Sequence, residues 1–344
     1  MTRAVKKDHI EGLDYIRAVM SVFVVCWHMR VVGISDIFYK DAYLSYHFGL
    51  TDFLNFHLFL LSVPAFMLVS NYLYASAGAG AALLRRRVIR IMILLTFWTA
   101  AYLTVMHGFA GAVKILQASD RPLLVLIFRA GMTIYYFFVS LILCYVATFA
   151  LAKINRTIQL PLLLLSVIFL EAAPYIAGAT GATGLCAYWS PSNFIPYAFA
   201  AVVLASYKDF IDRNRLVVFL ASVLLSIILA VWEWHYSIGD ISFMADKQGL
   251  PSYTRGSLVF GAIALLVLAT DKRIVSGRLI KFMSDKSLAL YCIHPFFVDA
   301  VKNAVGTVIG PASLALYISA LLVIIASYLT AVALKLYLSR EVLE

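Results

Sequence analysis

Apolar runs long enough to cross a lipid bilayer fill most of this chain and leave few folds open to it. Ten such segments can be marked, and a spanning helix needs roughly 17–25 residues. Their limits are 13–32, 53–76, 88–108, 131–152, 158–177, 190–207, 215–237, 254–270, 283–303 and 308–338. No polar stretch between them is long enough for a soluble domain. The sequence therefore predicts an all-α polytopic membrane protein, a bundle of about ten transmembrane helices that forms one domain over 1–344.

The composition agrees with this interpretation and excludes other classes. Hydrophobic residues make up 63% of the chain and charged residues 13%, with a mean hydropathy of +0.90. Soluble domains carry about 25% charged residues. The net charge of +10 could indicate nucleic-acid binding, but the basic residues are scattered between apolar runs. We therefore expect membrane lipids as partners and no nucleic acid.

The distribution of basic residues predicts the topology. When the connecting segments are assigned alternately to the two sides, 19 of the 28 Lys and Arg residues lie on the side of both termini and 8 on the other, with Arg17 set apart inside the first segment. Basic residues concentrate on the cytoplasmic side of membrane proteins. The pattern therefore predicts cytoplasmic termini, an even number of crossings and a multi-pass protein of the bacterial inner membrane.

Two of the ionisable residues in the first apolar segment, Arg17 and His28, are candidates for function. Arg17 and His28 are eleven residues apart, which returns a helix to nearly the same face about 16 Å further along its axis. Charged or titratable groups inside a membrane are costly and therefore often functional. The alternative is that Arg17 anchors the helix at the interface and His28 forms a hydrogen bond to another helix. The positions alone do not decide between these hypotheses.

A cluster of arginines opens the third segment, in RRRVIR over 85–90. Arg85 and Arg86 are interpreted as topological anchors. Arg87 and Arg90 are three residues apart and share a helix face. Paired guanidinium groups suit phosphate recognition, so we predict that these two bind an anionic cytoplasmic ligand such as a nucleotide-bearing cofactor.

The ninth segment carries a polar stripe. Ser287, Tyr291 and His294 follow each other at helical spacing, and Pro295 should kink the helix directly after His294. A stripe of satisfied hydrogen bonds between helices would give the same pattern.

Glu233 lies between two tryptophans near the end of the seventh segment, in VWEWHYS. It is a candidate sugar-binding group or base, although a partly hydrated residue at the interface fits the neighbouring tryptophans. The sequence contains no Gly-rich phosphate loop, no GxSxG turn and no cluster of metal ligands, so no metal is expected.

Several of these segments together resemble one known family, the membrane-bound acyltransferase-3 group that includes bacterial polysaccharide O-acetyltransferases. The similarity runs from about residue 12 to 299 in the order of the family. The matching segments are GLDYIRAVMSVFVVCWH (12–28), HLFLLSVPAFMLVSNYLY (57–74), RRRVIR (85–90), YYFFVSLILCYV (135–146) and SLALYCIHPFFV (287–298). Pro64-Ala65 replaces the usual Ser-Gly, and Tyr136 stands where Trp is usual.

The resemblance implies an O-acyltransferase. Acyl-CoA, with acetyl-CoA as the default, would be the co-substrate, bound by Arg87, Arg90, Arg17 and Ser287. His28 would act as base or transient acyl carrier, with Arg17, Tyr291 and His294 in the catalytic group. The acceptor would be a hydroxyl of a cell-surface polysaccharide, an exopolysaccharide or a lipid-linked glycan, contacted by Tyr136 and Glu233. A polysaccharide synthase complex is a further candidate partner.

Two alternatives remain at this point. A polysaccharide exporter or transporter could use the same helices, but no inverted repeat is visible, and an arginine cluster fits phosphate capture better than passage of a neutral glycan. A non-catalytic sensor or assembly partner could keep the scaffold. The presence of both Arg17 and His28 favours the enzyme.

Overall fold

The described part of the chain is helical. The computed structural model describes residues 9–32, 53–117, 134–237, 251–309 and 313–335, and no β-strand occurs within these ranges. The helices, numbered in chain order, are α1 (Gly12–Met29), α2 (Ser62–Ala75), α3 (Ala81–Gln117), α4 (Tyr136–Leu151), α5 (Arg156–Thr180), α6 (Ile195–Ser206), α7 (Lys208–Arg213), α8 (Arg215–Ser237), α9 (Gly256–Ala269), α10 (Arg278–Asp285), α11 (Ser287–Ile293), α12 (Pro295–Ile309) and α13 (Ser313–Leu334). A π-helical segment, Leu54–Phe59, precedes α2, and the 3₁₀ turns Thr183–Leu185 and Pro191–Asn193 precede α6.

The all-helical prediction is confirmed for the described residues, and the described part of each of the ten predicted segments contains helical residues; residues 131–133, 310–312 and 336–338 of two segments lie outside the described ranges. Five helices of the described ranges are long and apolar enough to cross a membrane: Leu54–Ala75, Ala81–Gln117, Arg156–Thr180, Arg215–Trp234 and Leu314–Leu334. Three further apolar helices are shorter, at 136–151, 191–206 and 256–269. The chain is thus a multi-pass membrane protein. The number of ten crossings and the cytoplasmic termini stay predictions.

Helix α8 shows why this exterior belongs in lipid. The side chains of Leu216, Val217 and Val231 are 67%, 67% and 65% exposed on its outer face. Such a continuous apolar face is unfavourable in water, and soluble proteins therefore rarely expose large apolar patches. Hydrocarbon tails are the natural neighbours of this surface.

Helix α1 lies at the centre of the bundle. It packs against α2, α9, α10, α11 and α13. Its first residue, Gly12, passes so close to the end of α9 that an added Cβ would lie 2.0 Å from the carbonyl oxygen of Ala269. Small residues allow such close approaches between membrane helices. Gly12 therefore fixes the distance between α1 and α9.

A buried cluster around Arg255 joins four elements on the far side of α9. Arg255 is completely buried, and its Nε donates to Oε2 of Glu233 on α8 at 2.8 Å. Its Nη1 donates to the carbonyl oxygen of Phe56 at 2.6 Å, and its Nη2 lies 2.9 Å from Nδ1 of His57. The amide of Gly256, at the start of α9, donates to Oε1 of Glu171 on α5 at 2.7 Å. This cluster ties the π-helical segment, α5 and α8 to the start of α9.

Removing the cation from this cluster should destabilise the protein strongly. We expect Arg255→Met to lower the free energy of unfolding by about 3–5 kcal/mol, because it leaves the Glu233 carboxylate buried without its partner. The double variant Arg255→Met/Glu233→Gln should lose less, since the buried carboxylate is then replaced by a neutral amide. Unfolding by dodecyl sulfate in mixed micelles measures both.

The matched control is Arg273→Met. Arg273 also pairs with a carboxylate, that of Asp271 at 2.7 Å, but its side chain is 89% exposed. We expect no resolvable change for this variant. Equal losses for the buried and the exposed arginine would contradict the structural importance of the Arg255 cluster.

Candidate active site

One cavity is lined by four arginines and is here called the arginine cavity. It has a volume of about 500 Å³ and lies between α1, α2, α3, α4 and the α10–α11 region. Its polar lining residues are Arg17, Ser70, Arg86, Arg87, Arg90, Tyr145, Ser284, Asp285, Ser287 and Tyr291. Four guanidinium groups face one carboxylate, that of Asp285, so the cavity suits a ligand with several negative charges.

Arg87 is held in place by α2 and α4. Its Nη1 donates to the carbonyl oxygen of Ser70 at 3.2 Å and to the hydroxyl of Tyr145 at 2.8 Å. The guanidinium carbon also lies 5.4 Å and 5.1 Å from the ring centroids of Tyr74 and Tyr145, within the range of cation–π attraction. Nε and Nη2 have no hydrogen-bond partner among the described residues and are available to a ligand. Arg90 lies one turn further along α3 and is exposed.

The start of α1, which carries Arg17, is fixed by two carboxylates. The amide and the hydroxyl of Ser276 donate to Oε2 of Glu11 at 2.6 Å and 3.1 Å, and the amide hydrogen bond lowers the pKa of Glu11. The hydroxyl of Ser284 donates to Oδ1 of Asp14 at 2.9 Å. Arg17 lies one turn beyond Asp14. The loop before α10 and α10 itself therefore set the position of Arg17 at the cavity.

A second cavity contains His28 and is here called the histidine cavity. It has a volume of about 660 Å³. Its polar and aromatic lining residues are Trp27, His28, Arg30, Phe59, Ser62, Tyr102, Tyr136, Tyr188, Ser252, Tyr253, Tyr291, Asp299 and Lys302. Aromatic walls with a few polar groups are typical of sites for small organic ligands.

The rings of His28 and His294 lie next to each other, with centroids 5.2 Å apart. His294 is completely buried, and its Nδ1 lies 3.1 Å from the carbonyl oxygen of Leu290. Because a carbonyl only accepts, Nδ1 of a neutral His294 carries the proton and Nε2 carries the lone pair. Nε2 has no hydrogen-bond partner among the described residues. The pair thus includes a buried nitrogen that can accept a proton.

Tyr291 is common to the linings of both cavities. Its hydroxyl donates to the carbonyl oxygen of Ile134. In the neighbouring turn, the hydroxyl of Tyr135 donates to the carbonyl oxygen of Cys292 at 2.9 Å. These two bonds hold α11 against the start of α4, so Tyr291 forms a fixed wall between the cavities.

The structure brings most of the predicted site residues together. The arginine cavity is lined by Arg17, Arg87, Arg90, Ser287 and Tyr291, and the histidine cavity by His28, Tyr136 and Tyr291. His294 packs on His28. The ninth segment is interrupted at His294, where the kink was predicted, since α11 ends at Ile293 and α12 begins at Pro295.

Glu233 is the exception among the predicted residues. It lines neither cavity, and it is 3% exposed instead of partly hydrated. Oε2 accepts from Arg255, while the amide of Ser257 donates to Oε1 at 2.7 Å. Glu233 is thus part of a buried ion pair, and the neighbouring tryptophans were a misleading sign of an interface.

Sequence reasoning missed three of the lining cations, Arg30, Arg86 and Lys302. Arg86, interpreted as an anchor, lines the arginine cavity, and its spacing of four residues from Arg90 places both on one helix face. Lys302 lines the histidine cavity. Helical spacing extends the polar stripe from Tyr291 through Pro295 and Val298 to Lys302, so the same periodicity could have identified it.

Comparison with known proteins adds an independent observation. The model of a family described as an acyltransferase domain matches residues 10–339, nearly the whole chain. Neither the curated proteins nor the solved structures gave a significant match. The family match covers α1, with Arg17 and His28, and all the helices that line the two cavities. The chain is therefore a membrane acyltransferase that belongs to the acyltransferase-3 family.

Proposed function

We propose that this protein transfers an acyl group, acetyl by default, from acyl-CoA in the arginine cavity to a sugar hydroxyl in the histidine cavity. The acceptor is a hydroxyl of a cell-surface polysaccharide, an exopolysaccharide or its lipid-linked precursor. With cytoplasmic termini, the acyl group would reach the outer face of the bacterial inner membrane without export of CoA.

The observation that carries this proposal is the division of α1 between two cavities. Arg17 lines the arginine cavity and His28 lines the histidine cavity, eleven residues further along the same helix. This spacing corresponds to about 16 Å along the axis. An elongated donor can therefore bind its charged end near Arg17 and extend its reactive end towards His28, past Tyr291.

The donor would be held by charge. Arg86, Arg87 and Arg90 on α3, together with Arg17 on α1, can bind the phosphates of CoA through charge-assisted hydrogen bonds. Arg87 needs little reorganisation to do so, because Tyr145 and the Ser70 carbonyl already fix its guanidinium. Ser287 lines the same cavity and adds a hydroxyl.

His28 would supply the chemistry. In the direct route the acceptor oxygen bonds to the thioester carbonyl carbon and the carbon–sulfur bond breaks. The hydroxyl proton passes to His28 and then to the departing sulfur, so no net proton is released. In a second route His28 takes the acyl group as the carbon–sulfur bond breaks, and its imidazole proton passes to the departing sulfur. The acceptor hydroxyl then takes the acyl group from His28 and returns a proton to the imidazole. Both routes need a neutral imidazole.

His294 would support His28. Its buried Nε2 has a lone pair and lies in the ring that packs on His28, so it can accept a proton from His28. The bond from Nδ1 to the Leu290 carbonyl selects the tautomer that leaves this lone pair available.

Donor binding and chemistry should separate in two single variants. We expect Arg90→Ala to weaken acetyl-CoA binding by roughly 10–100-fold, as loss of a charge-assisted hydrogen bond implies. His28→Ala should bind acetyl-CoA like the wild type but release CoA about 10²–10⁴ times more slowly in the presence of a polysaccharide acceptor, because it lacks the base. Calorimetry in detergent measures binding, and chromatography measures released CoA.

Arg85→Ala is the control for removal of charge from α3. Arg85 precedes the other arginines and lines neither cavity, so this variant should match the wild type. If the wild type bound neither acetyl-CoA nor longer or charged acyl-CoAs, the assigned donor would be wrong and the exporter hypothesis would take precedence.

The part played by His294 can be tested by a substitution that keeps one of its two contacts. In His294→Asn the side-chain amide can still donate to the Leu290 carbonyl, but the lone pair of Nε2 is absent. We expect this variant to release CoA at least about 10² times more slowly while its melting temperature stays near that of the wild type. His294→Ala should lose both activity and stability. Full activity in His294→Asn would limit His294 to a structural part.

A further inference from the structure

The histidine cavity contains charge that the proposed reaction does not use. Arg30, Asp299 and Lys302 line it together with His28. Arg30 and Asp299 both lie close enough to Lys302 to act on it electrostatically. Among the described residues, neither cation forms an ion pair with Asp299. The cavity therefore carries an excess of positive charge beside the proposed base.

Lys302 is anchored to the end of α1. Its Nζ donates to the backbone carbonyl of His28 at 2.9 Å. The last carbonyls of a helix have no partner within the helix, and a cation is favourable there. An ammonium group has three donors, and this bond uses one of them. The other two remain for a ligand within reach of His28.

Arg30 ends the same helix in an unusual conformation. Its φ of 51° is left-handed, and the amides of Arg30 and Val31 donate to the carbonyls of Trp27 and Cys26 at 3.1 Å and 3.2 Å. Glycine is the residue that adopts this conformation without strain. The chain places a guanidinium here instead, and that group has no hydrogen-bond or ion-pair partner among the described residues.

Two cations with available donors beside a base point to a negatively charged ligand. On the basis of the proposed function, we propose that Lys302 and Arg30 bind an anionic group of the acceptor, a carboxylate or a phosphate close to the hydroxyl that receives the acyl group. The acceptor is therefore an acidic glycan, such as one with uronic acid or sugar phosphate units.

The anion belongs to the acceptor and not to the acyl donor. A dicarboxylic acyl group such as succinyl would also bring a carboxylate into the cavity. A four-carbon chain is narrow, however, whereas this cavity has about 660 Å³ and is walled by the rings of Trp27, Tyr136, Tyr188 and Tyr253. Such a space accommodates a sugar ring.

Binding of two matched glycosides tests the proposal without requiring turnover. Methyl β-glucuronide and methyl β-glucoside differ only at C6, which is a carboxylate in the first and a hydroxymethyl group in the second. We expect the detergent-solubilised protein to bind the glucuronide at least about tenfold more tightly in equilibrium dialysis, as a charge-assisted hydrogen bond implies. Methyl β-glucoside 6-phosphate tests whether the site prefers a phosphate to a carboxylate.

Variants of Arg30 and Lys302 test whether these two cations cause the preference for the glucuronide. Arg30→Gln and Lys302→Met should reduce it to about twofold or less, with binding of the neutral glucoside unchanged, whereas Lys302→Arg should keep it. Lys153→Met is the control, since Lys153 is exposed and lines neither cavity. If Lys302→Met does not fold, Arg30→Gln still tests the proposal. Arg30 makes its described helix-end contacts through its backbone, so its side chain can be replaced without losing them.

Three outcomes would overturn the proposal. The first is that the wild type binds neither the glucuronide nor the 6-phosphate more tightly than the neutral glucoside. The second is a preference that survives in both Arg30→Gln and Lys302→Met. The third concerns the donor. If the wild type prefers succinyl-CoA to butyryl-CoA, and the variants remove this preference but not the preference between the glycosides, the anion belongs to the donor. Glucuronide binding without any CoA release would instead refute the proposed transfer and leave the anion site in place.

Discussion

The buried guanidinium of Arg255 is the interaction on which the frame of this molecule depends. A charge in the interior of a membrane protein is tolerated only when its donors are satisfied, and Arg255 meets this condition with groups from distant parts of the chain: Glu233, the Phe56 carbonyl and His57. The cluster sets where α9 begins. At the other end of α9, Gly12 sets how closely α1 approaches. The helix that carries the proposed base is thus positioned by a charge cluster that has no part in the chemistry.

The length of α1 separates the proposed donor-binding residue from the proposed base. Arg17 lies near its first turns, among arginines, and His28 lies in its last turn, among aromatic rings. Each end is fixed by a different part of the chain, with Glu11 and Asp14 bonded to the region of α10 at the start and Lys302 bonded to the His28 carbonyl at the end. A rigid rod fixed at both ends keeps a charge-binding group and a titratable group at a constant separation.

The site residues that could be predicted from the sequence are those that follow helical periodicity. The spacing of Arg17 and His28, the arginines of α3 and the stripe of Ser287 and Tyr291 are local patterns, and the structure places all of them at the cavities. The pairing of Arg255 with Glu233 and His57 joins residues that are 22 and 198 positions apart, and no periodicity encodes it. The ion pair of Glu233 could not be predicted for that reason, because its neighbours in the sequence are tryptophans while its neighbour in space is a cation. Lys302 could have been found by the same periodicity, since it lies about two turns beyond His294, where the predicted stripe ended.

The wall formed by Tyr291 has a consequence for the cell that contains the protein. If the two cavities open to opposite faces of the membrane, Tyr291, which lines both, lies between the aqueous phases. Each turnover that threads a substrate past the ring risks a leak of protons and ions down their gradients. Because the Tyr291 hydroxyl is bonded to the Ile134 carbonyl, only a slender chain can pass beside its ring, whereas a wider opening would let ions cross the membrane. The energy stored across the bilayer thus limits how far this site can open.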